Sequence, residues 1–151
     1  MEEFFPEDEI LVTFHSEDTD FRIDASVSLI HWIQAIIKWR ECELVQLTYV
    51  FCSDDYLHKM NQEYLDHDTL TDIITFPYLE PPKVEGDIFI SVDRVRDNAR
   101  HFGVAFEQEL RRVMIHGVLH LCGQADKTEA EAGEMRRLEE AALDRFSKTT
   151  G

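Results

Sequence analysis

Apolar positions switch between a period of two and a period near 3.6 along this chain, and the switches mark its elements. Ile10-Leu11-Val12-Thr13-Phe14-His15 predicts a first strand and Ser16-Glu17-Asp18-Thr19-Asp20 a turn, with Phe21-Arg22-Ile23 expected to pair back as a hairpin. Leu29, Ile30, Ile33, Ile36 and Ile37 then recur at helical spacing, so a helix capped by Asp24 or Ser26 is expected to run to about Glu41. Leu44 to Cys52 alternates and is rich in β-branched residues, which predicts a strand. A short helix capped by Ser53 or Asp54 follows, with Tyr56, Leu57, Met60 and Tyr64 as its expected buried set. Thr71 to Phe76 reads as a strand ended by Pro77, Pro81-Pro82-Lys83 as a loop, and Gly86 to Ser91 as another strand. Three helical stretches close the chain, at about 92–101, 104–121 and 128–147.

The helix at 104–121 is the most informative. Leu110, Val113, Met114, Gly117, Val118 and Leu121 form its apolar stripe, and His116 and His120 lie at the edge, with Glu109, Arg112 and Val113 nearest them in angle. Gly117 costs a helix interior about 1 kcal/mol relative to Ala, which points to close approach of another backbone, a strand or a substrate.

At 151 residues the chain is long enough to close a core and is expected to be one domain spanning 1–151. No apolar run approaches the roughly 18 residues of a membrane span. The N-terminus is acidic and unlike a secretory signal. Cys42, Cys52 and Cys122 are an odd number without CxxC spacing, which argues against a disulfide framework and fits a reducing cytoplasm. Cys122 steps around the helix from His120 and is expected to fill the core. A formal charge of −16 argues against a nonspecific polyanion binder. Residues 1–20 hold eight acidic residues and no Lys or Arg, whereas Arg94, Arg96, Arg100, Arg111 and Arg112 cluster late and form the one candidate anion-facing surface. Phe4, Phe5 and Trp39 belong either to the core or to a self-association patch, and the oligomeric state stays open.

The chemistry is carried by His116-Gly117-Val118-Leu119-His120, followed by Gly123 and Asp126. Each helical residue turns by about 100°, so imidazoles four apart lie about 40° from each other and can share one cation. Gly123 ends the helix and lets Asp126 return as a third ligand. Three protein ligands leave a coordination position open, as catalytic rather than structural zinc requires. A histidine pair alone is more often met as two hydrogen-bonded, half-buried side chains; the glycine turn and Asp126 at the matching spacing turn the balance to the metal. Asp126 could instead cap the last helix, but Thr128 with Glu131 makes the better capping box. The N/N/O set suits Zn2+ best, with nickel, manganese or iron as alternatives. A zincin peptidase needs a Glu after its first His, where this chain has Gly117, so a phosphodiester is the more natural substrate.

These residues resemble a known family. His116 to Gly123 with Asp126, then Glu129-Ala130 through Met135 and Glu139, is similar to the HGxLHLxGxxH…EAxxM…E signature of the YbeY family of bacterial rRNA-maturation endoribonucleases. Asn61-Gln62-Glu63-Tyr64, with Asp68 and Thr71 to Pro77, resembles its Nxx[YF]RxxDxPTDVLSFP segment, and Gly86 to Ser91 its GDIxIS strand. The resemblance spans about residues 44–145. It implies an α+β, zincin-like domain in which a small mixed four-stranded sheet packs against about five helices. It implies one metal ion per chain held by His116, His120 and Asp126, and metal-dependent cleavage of single-stranded RNA in 16S rRNA 3′-end maturation and ribosome quality control. rRNA and the ribosomal small subunit are the partners it implies. Two positions depart from the pattern. Asp126 stands where the family has a third His, and Leu65 where it has an arginine. Arg112, one turn before His116, is the candidate substitute for that arginine, and Asp87 or Asp72 the candidate proton carrier. Two other classes compete: a non-catalytic, metal-stabilised ribosome-assembly factor and a metallopeptidase.

Overall fold

A computed structural model describes residues 11–65 and 71–150; Phe4, Phe5, Ile10 and Asp68 lie outside them. Strand β1 (Val12–Glu17) leads through helix α1 (Val27–Trp39) to β2 (Glu43–Cys52), and α2 (Asp54–Leu65) precedes β3 (Ile73–Pro77) and β4 (Lys83–Ser91). Helices α3 (Val92–Phe102), α4 (Phe106–Leu121) and α5 (Glu129–Thr150) complete the chain. The sheet order is β1-β2-β4-β3, with β1, β2 and β4 parallel and β3 antiparallel on the edge. This is the mixed four-stranded sheet with five helices that the sequence led us to expect.

The expected early hairpin does not form. β1 pairs in parallel with β2, which requires a crossover, and α1 supplies it. Phe21 instead packs edge-on against Phe51 and Phe106, and its carbonyl accepts from the Ser16 hydroxyl. Packing of Phe21 on the core thus replaces strand pairing. Ser26, not Asp24, caps α1 by accepting from the Leu29 amide.

Period-two alternation divides the sheet into two faces. Ile88 and Ile90 of β4, with Leu47, Tyr49 and Phe51 of β2, join the main core under α1, α4 and α5. Phe89 and Ile74 face the other way and meet Leu57, Tyr56 and Met60 of α2. Tyr64, expected in that buried set, is 67% exposed and lines an open cleft with Phe76 and Phe89 instead of packing into the core. Two buried hydrogen bonds fix the helices to each other and to the sheet: Tyr49 donates to the Met114 carbonyl at 3.0 Å and Trp32 Nε1 to that of Ala142 at 2.8 Å. Trp39 packs at the edge of the core with the Arg145 guanidinium 4.4 Å from its ring.

Close approach explains Gly117. A Cβ there would stand 2.9 Å from Ile88 Cδ1 and 3.0 Å from Ile73 Cδ1, so α4 lies tight on β3 and β4. At Gly86 a Cβ would meet the Phe76 carbonyl oxygen at 2.6 Å, and backbone cannot swing aside as a side chain can. Gly133, by contrast, is exposed within α5 with nothing within 4 Å. Urea unfolding should therefore show Gly86→Ala destabilised by about 1–3 kcal/mol through overpacking. It should show Gly133→Ala stabilised by about 0.5–1 kcal/mol through helix propensity.

Candidate metal centre

The α4 stripe sets the geometry. With Leu110, Val113, Met114, Gly117, Val118 and Leu121 buried against the sheet and neighbouring helices, His116 and His120 are left half-buried at the rim. Their rings stand 4.6 Å apart at 81°. The backbone leaves α4 at Cys122, and Gly123 takes a φ of 103°, a turn that L side chains rarely make. Asp126 returns from that turn. Its Oδ2 lies 3.4 Å from His116 Nε2 and 3.3 Å from His120 Nε2. Thr128 and Glu131 form the reciprocal capping box of α5: the Glu131 amide donates to Thr128 Oγ1 at 3.1 Å and the Thr128 amide to Glu131 Oε1 at 3.0 Å. That leaves the Asp126 carboxylate for the histidines.

These spacings fit an ion. Metal bonds of about 2.0–2.1 Å at tetrahedral angles put neighbouring ligand atoms about 3.3 Å apart. His116, His120 and Asp126 each offer one ligand atom, all within 4.8 Å of one another, so the group could bind a metal. The far ring nitrogens are already engaged: His116 Nδ1 with Glu139 Oε2 at 2.5 Å and His120 Nδ1 with the Gln124 carbonyl at 2.9 Å. Each acceptor keeps the proton on Nδ1 and turns the Nε2 lone pair toward Asp126, the usual support for a ligating imidazole. Cys122 is not in the group; burial, then its neighbour Cys42, pushes its thiol up to about 12.

Behind His116 lies a buried charge network. Glu139, 3% exposed, also accepts from Arg112 Nη1 at 2.9 Å, and Arg112 holds Glu109, 2% exposed, through Nε at 2.9 Å and through Nη2. The Glu109 hydrogen bond outweighs burial and holds the Arg112 guanidinium above its ordinary value. Burial alone would push Glu139 up, but the His116 and Arg112 interactions together hold it below the ordinary glutamate value. Glu139 entered the sequence reading only as part of a pattern. Its signal was an acidic residue within the stripe Met135, Leu138, Ala142 that α5 buries.

The two strand-end carboxylates part company. Asp72 shares a recess of about 70 Å³ with Ile73, Arg112, Val113 and His116, and burial raises it above the ordinary aspartate value against the pull of His116 and Arg112. Asp87 sits next to Ile88 in β4, hence on the opposite face of the sheet, where it accepts from the Tyr78 hydroxyl at 2.6 Å. The structure does not bring it to the histidines. Nor do the clustered arginines make one anion-facing surface. Arg94 is held by Asp54 and Asp97, and Arg100 by Asp97; Arg96 lies over Phe106 and Arg111 over Phe146.

A mixed sheet with this ligand group on its packed helix defines a zincin-like α+β domain. The profile of the family described as Endoribonuclease YbeY matches residues 12–147. A Flavobacterium johnsoniae protein named Endoribonuclease YbeY is 47% identical over 136 residues, covering 90% of this chain and 97% of its own. An Amoebophilus asiaticus protein of the same name is 49% identical over 129 residues, covering 85% and 88%. The solution structure of TM1509 from Thermotoga maritima superposes with a TM-score of 0.64 at 28% identity, over 89% of this chain and 88% of that one. The chain belongs to the YbeY family.

Replacing the buried acceptor tests the support of His116. Glu139→Gln should lower metal affinity about 10–100-fold in a competition titration against a chromophoric chelator. A carboxyl whose folded pKa is depressed stabilises fully above its unfolded value, about 4.3, and loses that stabilisation as pH falls through the lower folded value. The variant's stability should accordingly fall less steeply in acid than that of the parent.

Proposed function

We propose that this protein is a zinc-dependent endoribonuclease that cuts single-stranded RNA, acting in the cytoplasm on precursor rRNA of the small ribosomal subunit in 16S 3′-end maturation and ribosome quality control. Its membership of a family whose curated relatives are named endoribonucleases supports the activity. The carrying observation is that Asp126 Oδ2 lies within 3.4 Å of both Nε2 atoms, a three-donor group that would leave one position of a tetrahedral ion to a further partner. Nitrogen and carboxylate donors without thiolate suit zinc. No helix among the described residues is long and apolar enough to cross a membrane.

His116, His120 and Asp126 would hold a divalent ion, which would supply Lewis acidity toward a phosphodiester oxygen and lower the pKa of a water toward neutrality. The chain's own residues do the rest. Glu139 and the Gln124 carbonyl fix both imidazoles. Asp72, raised by burial and sharing a recess with His116, is the carboxylate suited to hold a proton beside the reacting phosphate. Arg112 has its donors turned to two buried carboxylates, so it is a positioning residue for His116 through Glu139. Gly117, which packs its helix closely on Ile88 and Ile73, lacks the carboxylate a zincin peptidase carries at that position.

Zinc-loaded protein should cut a single-stranded oligoribonucleotide. His116→Ala combined with His120→Ala should abolish cutting, and Asp126→Asn should slow it by more than about 100-fold, each with matching loss of bound zinc. Cleavage by the double variant at the parent's rate would remove the metal from the account. Zinc binding with RNA association but no turnover would make the protein an assembly factor instead.

A further inference from the structure

Two aromatic side chains of α2, the partly buried Tyr56 and the exposed Tyr64, line a cleft. Tyr56 and Tyr64, two turns apart on α2, face Phe76 of β3, Phe89 of β4 and Tyr78 just beyond β3 around a cavity of about 580 Å³. It opens on the face of the sheet away from α4. Phe89 forms its floor, with Tyr56 stacked on it at 6.5 Å and Phe76 edge-on at 5.7 Å. Tyr64 and Tyr78 stand 67% and 58% exposed at the rim. Asp87, which the metal centre does not use, lines the same cleft and accepts from the Tyr78 hydroxyl.

Flat exposed aromatic faces combined with one fixed polar acceptor are the means by which proteins hold an unstacked base. The carboxylate narrows the choice. An ionised carboxylate only accepts, at about four lone-pair positions, of which Tyr78 takes one. Guanine presents two N–H groups side by side on its Watson–Crick edge, matching a carboxylate; uracil presents one, flanked by carbonyls that a carboxylate repels. Lys59 is the cation lining the cleft, and Glu63 offsets it, so the backbone phosphate is not what this surface recognises. The edge strand β3 borders both regions: Ile73 packs under Gly117 of the metal helix, and Phe76 faces the cleft. A strand of RNA crossing that edge would pass from one region to the other.

We propose that this cleft seats one nucleobase of single-stranded RNA, guanine in preference, as a binding subsite separate from the metal centre; the proposal rests on the nuclease reading above. Fluorescence anisotropy with labelled 2′-O-methyl oligoribonucleotides, checked by gel to be intact after each measurement, tests it on the zinc-loaded protein. Guanine-containing strands should bind about ten-fold tighter than all-uridine strands, and Tyr64→Ala should lose about ten-fold for guanine-containing strands. That Tyr64 loss should not change with salt, since stacking releases no counterions. Asp87→Asn should level guanine and uridine affinities. Zinc binding by the Tyr64→Ala protein should equal that of the parent. Equal affinity for both strands, with Tyr64→Ala unaffected, would overturn the subsite while leaving RNA cleavage by the parent intact. Absence of both RNA binding and RNA cleavage in the parent would overturn the nuclease reading and the subsite with it.

Discussion

The Glu139 carboxylate is the constraint on which the rest of the architecture depends. It is buried on α5, yet its two oxygens are committed to α4, one to Arg112 and one to His116. An ionised carboxylate in such a place is tolerable only when its charge is compensated, and losing one partner of a buried pair costs about 3–5 kcal/mol. The pairing therefore fixes how α5 sits on α4. It also fixes the tautomer of His116, so Nε2 is the nitrogen offered toward Asp126. Helix packing and ligand orientation are here one interaction.

That economy has a consequence for charge. Glu109, Arg112 and Glu139 together carry two negative charges and one positive one, all close to the histidines. The group attracts a cation. Arg112 is spent on internal compensation, and the remaining arginines of that region are paired with aspartates or laid over aromatic rings. With those arginines engaged in a chain of charge −16, an ion at the metal centre and contacts other than phosphate pairing would carry much of the attraction for an RNA substrate. The exposed aromatic cleft across β3 is where the surface offers such contacts.

Much of this was legible in the sequence, and the failures have physical causes. Helix α4 was readable because its stripe, its histidine spacing and its terminal glycine all depend on local geometry. So was the capping box at Thr128 and Glu131, which frees Asp126. The proposed hairpin was not, because β1 and β2 pair across a helix and sequence proximity says nothing about such partners. Asp87 shows the cost of one residue of strand register: next to Ile88, it must face away from the helix that Ile88 touches. Tyr64 kept the helical period of a buried face, but there α2 and the sheet part into a cleft, and no local pattern encodes that gap. The role of Glu139 needed α5 docked on α4, which no local pattern encodes.

X-ray absorption at the zinc edge of the loaded protein tests the central claim most directly. Two imidazole nitrogens and one carboxylate oxygen should scatter at about 2.0–2.2 Å, with a fourth light atom and no sulfur. Replacing Asp126 should remove one oxygen scatterer. Sulfur at about 2.3 Å, or a first shell with a single imidazole, would contradict the assignment of His116, His120 and Asp126 as the ligands.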